Sequence, residues 1–509
     1  MDIWSNLALG FATALTPENL LYCFAGVFIG TLVGVLPGIG SLAAVSLLLP
    51  VSFYLPATAA VIFLAGIYYG AEYGGSITSI LLNLPGTSSS AVTCLDGNPL
   101  AKQGKAGVAL LLTTLASFCG ASIGIVALVV AAPVLAQLSK NIGSPEYFSI
   151  MVFALVASAS VTQESAVKGL AMVVLGLMLG CVGTDVESNV LRYTLGLHEL
   201  YDGISLVALS MGLFGVAEVI ASARAGGRSI LERSVSMRSM MPSRSELRQS
   251  ILPILRGSAI GGFIGALPGA GVTIASFLSY AAEKSIARDR TRFGKGAIEG
   301  ICSPEAANNA AAQTAFIPTL TIGIPGSATM AIILGALMIH GIVPGPSMIS
   351  EHPSVFWGLV ASFWIGNLFL VILNIPFIGL WVRLLLVPYR LLFPVVIALV
   401  CMGAFAINGA VFDVALVLIA GILGYGMRVL GYEPAPLLIG FVLGPLIEEN
   451  FRRSMLLAQG DGSFMLGHPV ALMFIALSLG LLLWSAILGP QLGKRVTRLV
   501  LRPASSPDR

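Results

Sequence analysis

The sequence predicts an all-α polytopic membrane protein of two homologous halves with broken helices, and three observations carry that prediction. Charged residues form only 10% of the 509-residue chain against 56% hydrophobic, where a soluble domain carries about 25% charged residues. Such a chain cannot cover a water-facing surface. Apolar runs recur from Leu20 onward, and several approach or exceed the roughly 20 residues that cross a bilayer as a helix. Finally, GTLVGVLPGIG at residues 30–40 returns 231 residues later as GGFIGALPGAG, with six of eleven positions identical.

The opening segment lacks a basic n-region and a clean cleavage site, so it is expected to be a retained interfacial helix before the first span. The clearest spans fall at 107–130, 148–159, 169–179, 355–380, 391–407 and 469–489. Trp357, Trp364 and Trp381 fall within or beside such runs and are expected to anchor at the membrane interface. Basic residues gather in AKQGK near Lys102, in 224–248, in 283–295 and in the tail GKRVTRLVLR. Loops rich in Lys and Arg stay cytoplasmic, so the four should share that face. About 34 residues separate the second from the third, and a half-membrane hairpin turning at the Pro-Gly pair fits that length. The expected organisation is a first membrane repeat at 1–223, a polar basic connection at 224–252, a second repeat with following spans at 253–490, and a basic cytoplasmic tail at 491–509.

A second correspondence supports duplication. LNLPGTSSS at 82–90 and IGIPGSATM at 322–330 follow the first motif by similar distances. Inversion of the halves is preferred to a parallel arrangement, because it provides two equivalent conformations, one open to each side. Proline removes a helix-ladder donor and glycine tolerates turning angles. Unwound backbone survives in a bilayer only where protein or a wet cavity surrounds it. The four breaks, Pro37-Gly38, Pro85-Gly86, Pro268-Gly269 and Pro325-Gly326, therefore imply a shared polar interior. The competing interpretation is a set of ordinary loops at the membrane surface.

A helix beginning inside the protein offers free amides and a positive dipole end, which suit a carboxylate. Opposing carbonyls suit a cation such as sodium. The expected substrate-binding positions are Gly38, Gly40, Ser41, Asn83, Gly86, Thr87, Ser88, Gly269, Gly271, Asn308, Asn309, Gly326 and Ser327. Ion coupling or gating is assigned to Pro37, Glu72, Pro85, Pro268, Glu305 and Pro325. Glu72 and Glu305 fall at nearly matching places in the halves, and a carboxylate inside a membrane is often functional; a helix end near the interface is the plainer alternative. Tyr68, Tyr69 and Tyr73 are candidates to line the same space. Asp413 either caps a helix or faces the interior. Glu448 and Glu449 precede Arg452 and Arg453 at helix-pair spacing, which carries no catalytic message.

No catalytic residues are expected. HExxH and the Gly-rich nucleotide loop GxxxxGK[ST] are absent from the sequence. Its six cysteines and four histidines are scattered singly, so no metal or redox site is expected from them. A membrane enzyme or channel using the two glutamates, or a non-transporting scaffold, stands as the alternative to a carrier.

GVLPGIG, YYGAEYGGSITSILLNLPG, GALPGAG, EGICSPEAANNAAAQTAFIPTLTIGIPG and GPLIEENFRRS occur in that order. Through them the chain resembles the large membrane subunit of the tripartite tricarboxylate transporters, the TctA family, from near Leu20 to near Gly489. The family's Pro-Gly segments fall on residues 34–40, 83–88, 265–271 and 323–327. The resemblance implies a secondary carrier of about 12 transmembrane segments in the bacterial inner membrane, driven by a sodium or proton gradient without an ATPase subunit or other cofactor. It also implies a small membrane subunit and a periplasmic solute-binding protein as partners, and tricarboxylates or related carboxylates as cargo; no nucleic acid is involved.

Overall fold

The computed structural model describes residues 3–36, 38–139, 142–160, 165–185, 188–224, 240–268, 271–384, 389–461 and 467–487. The first half comprises α1 (Ile3–Ala14), α2 (Pro17–Val35), α3 (Gly40–Ser52), α4 (Ala57–Leu82), α5 (Ala91–Leu100), α6 (Ala106–Ser139), α7 (Ser144–Ser160) and α8 (Ala166–Gly180). A short antiparallel ribbon, β1 (Gly183–Thr184) with β2 (Leu191–Arg192), precedes α9 (Leu206–Ser210) and α10 (Ala217–Arg224). The second half contains α11 (Arg244–Gly265), α12 (Gly271–Ile286), α13 (Glu299–Thr314), α14 (Phe316–Thr321), α15 (Ala328–Ile339), α16 (Met348–Glu351) and α17 (Pro353–Asn374). It closes with α18 (Ile378–Leu384), α19 (Tyr389–Asn408), α20 (Val411–Val429), α21 (Pro434–Leu457) and α22 (Pro469–Ile487). Four described helical stretches are long and apolar enough to cross a membrane: Pro17–Val35, Ala91–Ser139, Pro353–Asn374 and Val411–Val429.

Glycines at four-residue spacing decide how the two motif-bearing helices pack, because that spacing keeps them on one helix face. Gly26, Gly30 and Gly34 bring α2 onto α4, where a Cβ at Gly34 would lie 2.2 Å from the Ala71 carbonyl oxygen. Gly257, Gly261 and Gly265 bring α11 onto α13, where a Cβ at Gly261 would lie 2.1 Å from the Ala307 oxygen. Backbones at this distance gain dispersion contacts that lipid cannot supply. The halves then share partners: α6 packs along α13 while α17 packs on α4, and α5 reaches α13 while α15 reaches α4.

Each Pro-Gly motif interrupts a helix. Pro37 and Gly269 lie outside the described residues, but α2 ends at Val35 and α3 starts at Gly40, with Gly38 and Gly40 at φ 90° and 69°. Gly271 opens α12 at φ 65°, and Asn83 closes α4 in the left-handed region at φ 57°. The α11–α12 pair forms a hairpin joined by Arg256, whose Nε and Nη2 donate to Glu283 at 2.6 and 2.8 Å. Three of the four basic segments meet: Lys105 pairs with Glu246 at 2.7 Å and Gln103 donates to the Lys295 carbonyl at 2.7 Å. The basic tail and residues 225–239 lie outside the described residues.

Several local expectations change. Trp357 and Trp381 are fully buried and are not interface anchors. The indole of Trp381 donates to the Leu373 carbonyl at 3.0 Å, which provides its polar edge with a partner away from any interface. Asp413 sits in the first turn of α20 and accepts from Asn408 at 2.8 Å. Glu448 pairs with Arg452 as its spacing predicts, at 2.6 Å, and also with Arg192 at 2.7 Å, while Arg452 reaches Asp185 at 2.7 Å. These pairs fasten the ribbon to α21, a tertiary role invisible in helix spacing.

Candidate functional site

Glu72 lies well inside the 26-residue α4 rather than at a helix end, and its side chain is buried. Ser41, just past the first break, donates to Oε1 at 2.5 Å, and Ser89, just past the second, donates to Oε2. Both breaks of the first half thus converge on one carboxylate. The 83–90 loop keeps its shape through its own hydroxyls. Ser90 Oγ accepts from the Thr87 amide at 3.1 Å and from Ser79 Oγ at 3.0 Å, while Thr87 and Ser89 share a 2.8 Å bond. Glycine is required at position 86, since a Cβ there would lie 2.3 Å from the Gly34 oxygen and 2.5 Å from the Gly75 Cα. Gly86, Thr87 and Ser89 form the buried wall of this cup; Gly38, Asn83, Pro85 and Ser88 lie on its exposed rim.

The second half meets the cup through Thr273, in the first turn of α12 after Gly271, whose hydroxyl bonds Ser88 Oγ at 2.9 Å. Pro268 is half-buried and Pro325 is buried. Gly326 is less crowded than Gly86, with the Gly265 oxygen 3.7 Å from an added Cβ. Ser327 caps α15, its Oγ accepting from the Met330 amide at 3.3 Å, so that lone pair is committed to the helix.

Glu305 is not the counterpart of Glu72. Gly34 packs on Ala71 and Gly265 on Ala311, so Ala312 occupies the position equivalent to Glu72 and Glu305 stands about two helical turns earlier. Its Oε1 accepts from Thr93 at 2.5 Å and its Oε2 from Ser117 at 3.4 Å. Asn309 is committed to its own helix, donating to the Glu305 carbonyl at 3.0 Å. Asn308 behaves differently. It faces Glu72, yet neither of its buried amide atoms completes a hydrogen bond within the protein. A buried amide left open in this way is available to a ligand.

Tyr68 and Tyr69 belong largely to the core, with Tyr68 packed on Phe316 and Tyr69 edge-on to Phe363. Tyr73 donates to the Thr114 carbonyl at 2.9 Å. Among the described residues the buried polar groups include no lysine or arginine. Two central carboxylates therefore have hydroxyl and amide partners but no fixed cation. Sequence reasoning did not single out Ser76, Thr93, Ser117 or Thr273 as site residues. Ser76 carries a signal, being one turn beyond Glu72; Thr93 and Ser117 carry none, because α5 and α6 bring them to Glu305 only on folding.

Asp96 was also missed. Its Oδ1 accepts from the amides of Gly294, Gly296 and Ala297, each at 2.8 Å, and its Oδ2 from Tyr280 at 3.0 Å. This ties α5, which follows the cup, to the basic loop between α12 and α13. The cavity of about 630 Å³ lies elsewhere, against Phe53, Glu199, Asp202, Ile339 and Asp413. Its acidic wall opposes an anionic ligand, so the polar centre between α4 and α13 is the stronger candidate.

The helical fold, the apolar spans and the polar breaks define a multi-span membrane protein with a carrier-like interior. The chain belongs to the family described as "Tripartite tricarboxylate transporter TctA family", which it matches over residues 20–439. It is therefore a member of a transport family rather than an enzyme family. It is 48% identical over 482 residues to the "Uncharacterized 52.8 kDa protein in TAR-I ttuC' 3'region" of Agrobacterium vitis, covering 94% of this chain and 95% of that protein. It is also 52% identical over 219 residues to the "Uncharacterized protein in TAR-II ttuC' 3'region" of the same organism, covering 43% of this chain and 90% of that one. No solved structure matches.

Proposed function

We propose that this chain is the large transmembrane subunit of a binding-protein-dependent secondary transporter, importing tricarboxylates or related carboxylates across the bacterial inner membrane on a sodium or proton gradient. The observation that carries this reading is the convergence of two helix breaks on buried Glu72, with a third brought beside them by the Ser88–Thr273 contact. A bound periplasmic protein releases its anion to the open amide of Asn308 and to the hydroxyls and unwound amides of the cup. An anion entering beside two carboxylates meets like-charge repulsion, which several kinds of positive partner would relieve. With no buried lysine or arginine described, co-transported cations or protons are the consistent source. The reciprocal packing of α6 on α13 and α17 on α4 supports two equivalent halves, which in this reading are inverted and rock around the site.

Uptake of labelled carboxylates into proteoliposomes containing this subunit, its small partner and a cognate binding protein tests the proposal, with sodium and proton gradients imposed separately. Concentrative uptake that collapses with one gradient supports it. Absence under both gradients, with all subunits folded, favours a scaffold instead. Alanine at both Pro268 and Gly269 is expected to straighten the third break and abolish uptake while leaving insertion intact.

A further inference from the structure

The open cavity of about 630 Å³ is built unlike the polar centre. It lies where residues 198–207, the end of α15, the start of α20 and the middle of α21 meet. Cavities of about 300–1,000 Å³ hold small organic molecules between apolar walls and a few fixed polar groups. Here Phe53, Leu206, Ile339, Phe412 and Phe441 supply apolar wall, and the acidic groups are Glu199, Asp202 and Asp413. No lysine or arginine belongs to the described lining. His198 is its one basic side chain, 83% exposed at the mouth and turned to Glu199 at 3.5 Å. Asp413 is different. It is only 7% exposed, and its side chain has one hydrogen bond among the described residues, from Asn408 to Oδ2 at 2.8 Å. Asn408 is neutral, so this buried carboxylate has no basic partner, although buried carboxylates are ordinarily paired.

The lining narrows the occupant. Three carboxylates repel an anion. A divalent metal ion draws on several oxygen ligands gathered around one point, and no group of three His, Cys, Asp or Glu is placed to hold a metal among the described residues. A wholly apolar molecule would leave Asp413 without a counter-charge. An ammonium or guanidinium carried on an apolar body satisfies both the carboxylate and the aromatic wall, whose ring faces also attract cations.

We infer that this cavity is a binding site for a small organic cation, separate from the polar centre between α4 and α13. The cationic group pairs with Asp413, the apolar body lies against Leu206, Phe412 and Phe441, and Glu199 and Asp202 draw cations toward the mouth. The helical stretch Leu206–Ala221 and α20 run side by side in one direction, with Gly212 against Val417 and Glu218 against Arg428. The first leads into the basic connection at 224. Basic loops stay cytoplasmic, so the cavity, at the opposite ends of these helices, opens outward. Phe53 and residues 198–207 come from the first half, and α15, α20 and α21 from the second, so an occupant joins the halves. The inference concerns binding and stands whether or not the chain transports carboxylates.

The test uses the full chain in detergent, titrated calorimetrically with 4-phenylbutylamine, which is protonated at pH 7, and with 4-phenylbutanol and 4-phenylbutyrate as neutral and anionic matches. Empty micelles provide the background. Saturable binding of the amine is expected, with a rise in the unfolding midpoint, and the alcohol and the acid should bind at least tenfold more weakly. Asp413→Asn keeps an oxygen for Asn408 but removes the charge, and should weaken amine binding at least tenfold. The double variant Glu199→Gln, Asp202→Asn should weaken it several-fold, and Asp289→Asn, in the loop after α12, should retain it. If Asp413→Asn fails to fold, the double variant and the three-ligand comparison carry the test. No saturable amine binding above the micelle background, equal binding of the alcohol, or unchanged affinity in folded Asp413→Asn overturns the site.

Discussion

At the scale of single residues, the most informative groups are those whose polar atoms have been counted out. Glu72 has two hydroxyl donors and an open amide facing it, whereas Asn309 and Ser327 have their hydrogen-bonding capacity drawn into their own helices. Glu72→Gln is therefore expected to lower carboxylate uptake by about tenfold or more, since hydrogen bonds to a charged group are worth about 1.5–3 kcal/mol. Asn309→Ala should change uptake much less, and a comparison of initial rates at equal membrane abundance separates the two. Glu246 makes a pH prediction at the polar start of α11. The ammonium of Lys105 and the Ser243 cap hold its carboxyl at about 2 against an ordinary 4.5. Its contribution is complete above about pH 4.5 and is lost as pH falls toward about 2. The pair is partly exposed, so the effect should stay within about 1 kcal/mol. Lys105→Ala should narrow the acid-dependent fall of the unfolding midpoint without altering it near neutrality by more than a few degrees.

At the scale of elements, the sequence identified the helix breaks but misjudged one pairing. Glu72 and Glu305 look equivalent when counted from the motifs, yet packing on Gly34 and Gly265 places Ala312 opposite Glu72 in the repeat. Helix register is set by which small residues let backbones touch, and spacing to a distant loop is a poor proxy for it. Gly261→Leu is expected to force α11 from α13 and destabilise the protein by about 1–3 kcal/mol, the usual cost of overpacking. A lowered unfolding midpoint in detergent reads this directly. Asp96→Ala removes the acceptor of three amides, of which that of Ala297 is buried and costs about 1–3 kcal/mol when left orphaned. Asp96→Asn keeps one oxygen and should be markedly less destabilising, an order that thermal unfolding of the two variants checks.

At the scale of the whole molecule, the halves complete each other. Ser88 with Thr273, Asp96 with the Gly294–Ala297 amides, and Lys105 with Glu246 all join residues from different halves. The proposed rocking of one half against the other would break some of these contacts. A cysteine pair at Lys105 and Glu246, in a background without the native cysteines, should arrest uptake when joined by a reducible bifunctional thiol reagent and restore it on reduction. Unchanged uptake in the fully cross-linked protein would show that this face does not open.

Composition, apolar run length and proline chemistry by themselves determined a helical membrane protein with polar breaks, because helix formation and the bilayer's demand for satisfied backbone act over a few turns. The ordered motifs carried the family. Tertiary structure alone decided that Ser41 and Ser89 meet one carboxylate, that Thr93 and Ser117 meet another, and that Trp357 and Trp381 lie in the core. Those contacts join positions from a few turns to more than 200 residues apart, and their partners follow from how closely glycine-lined helices approach, a property no local pattern contains.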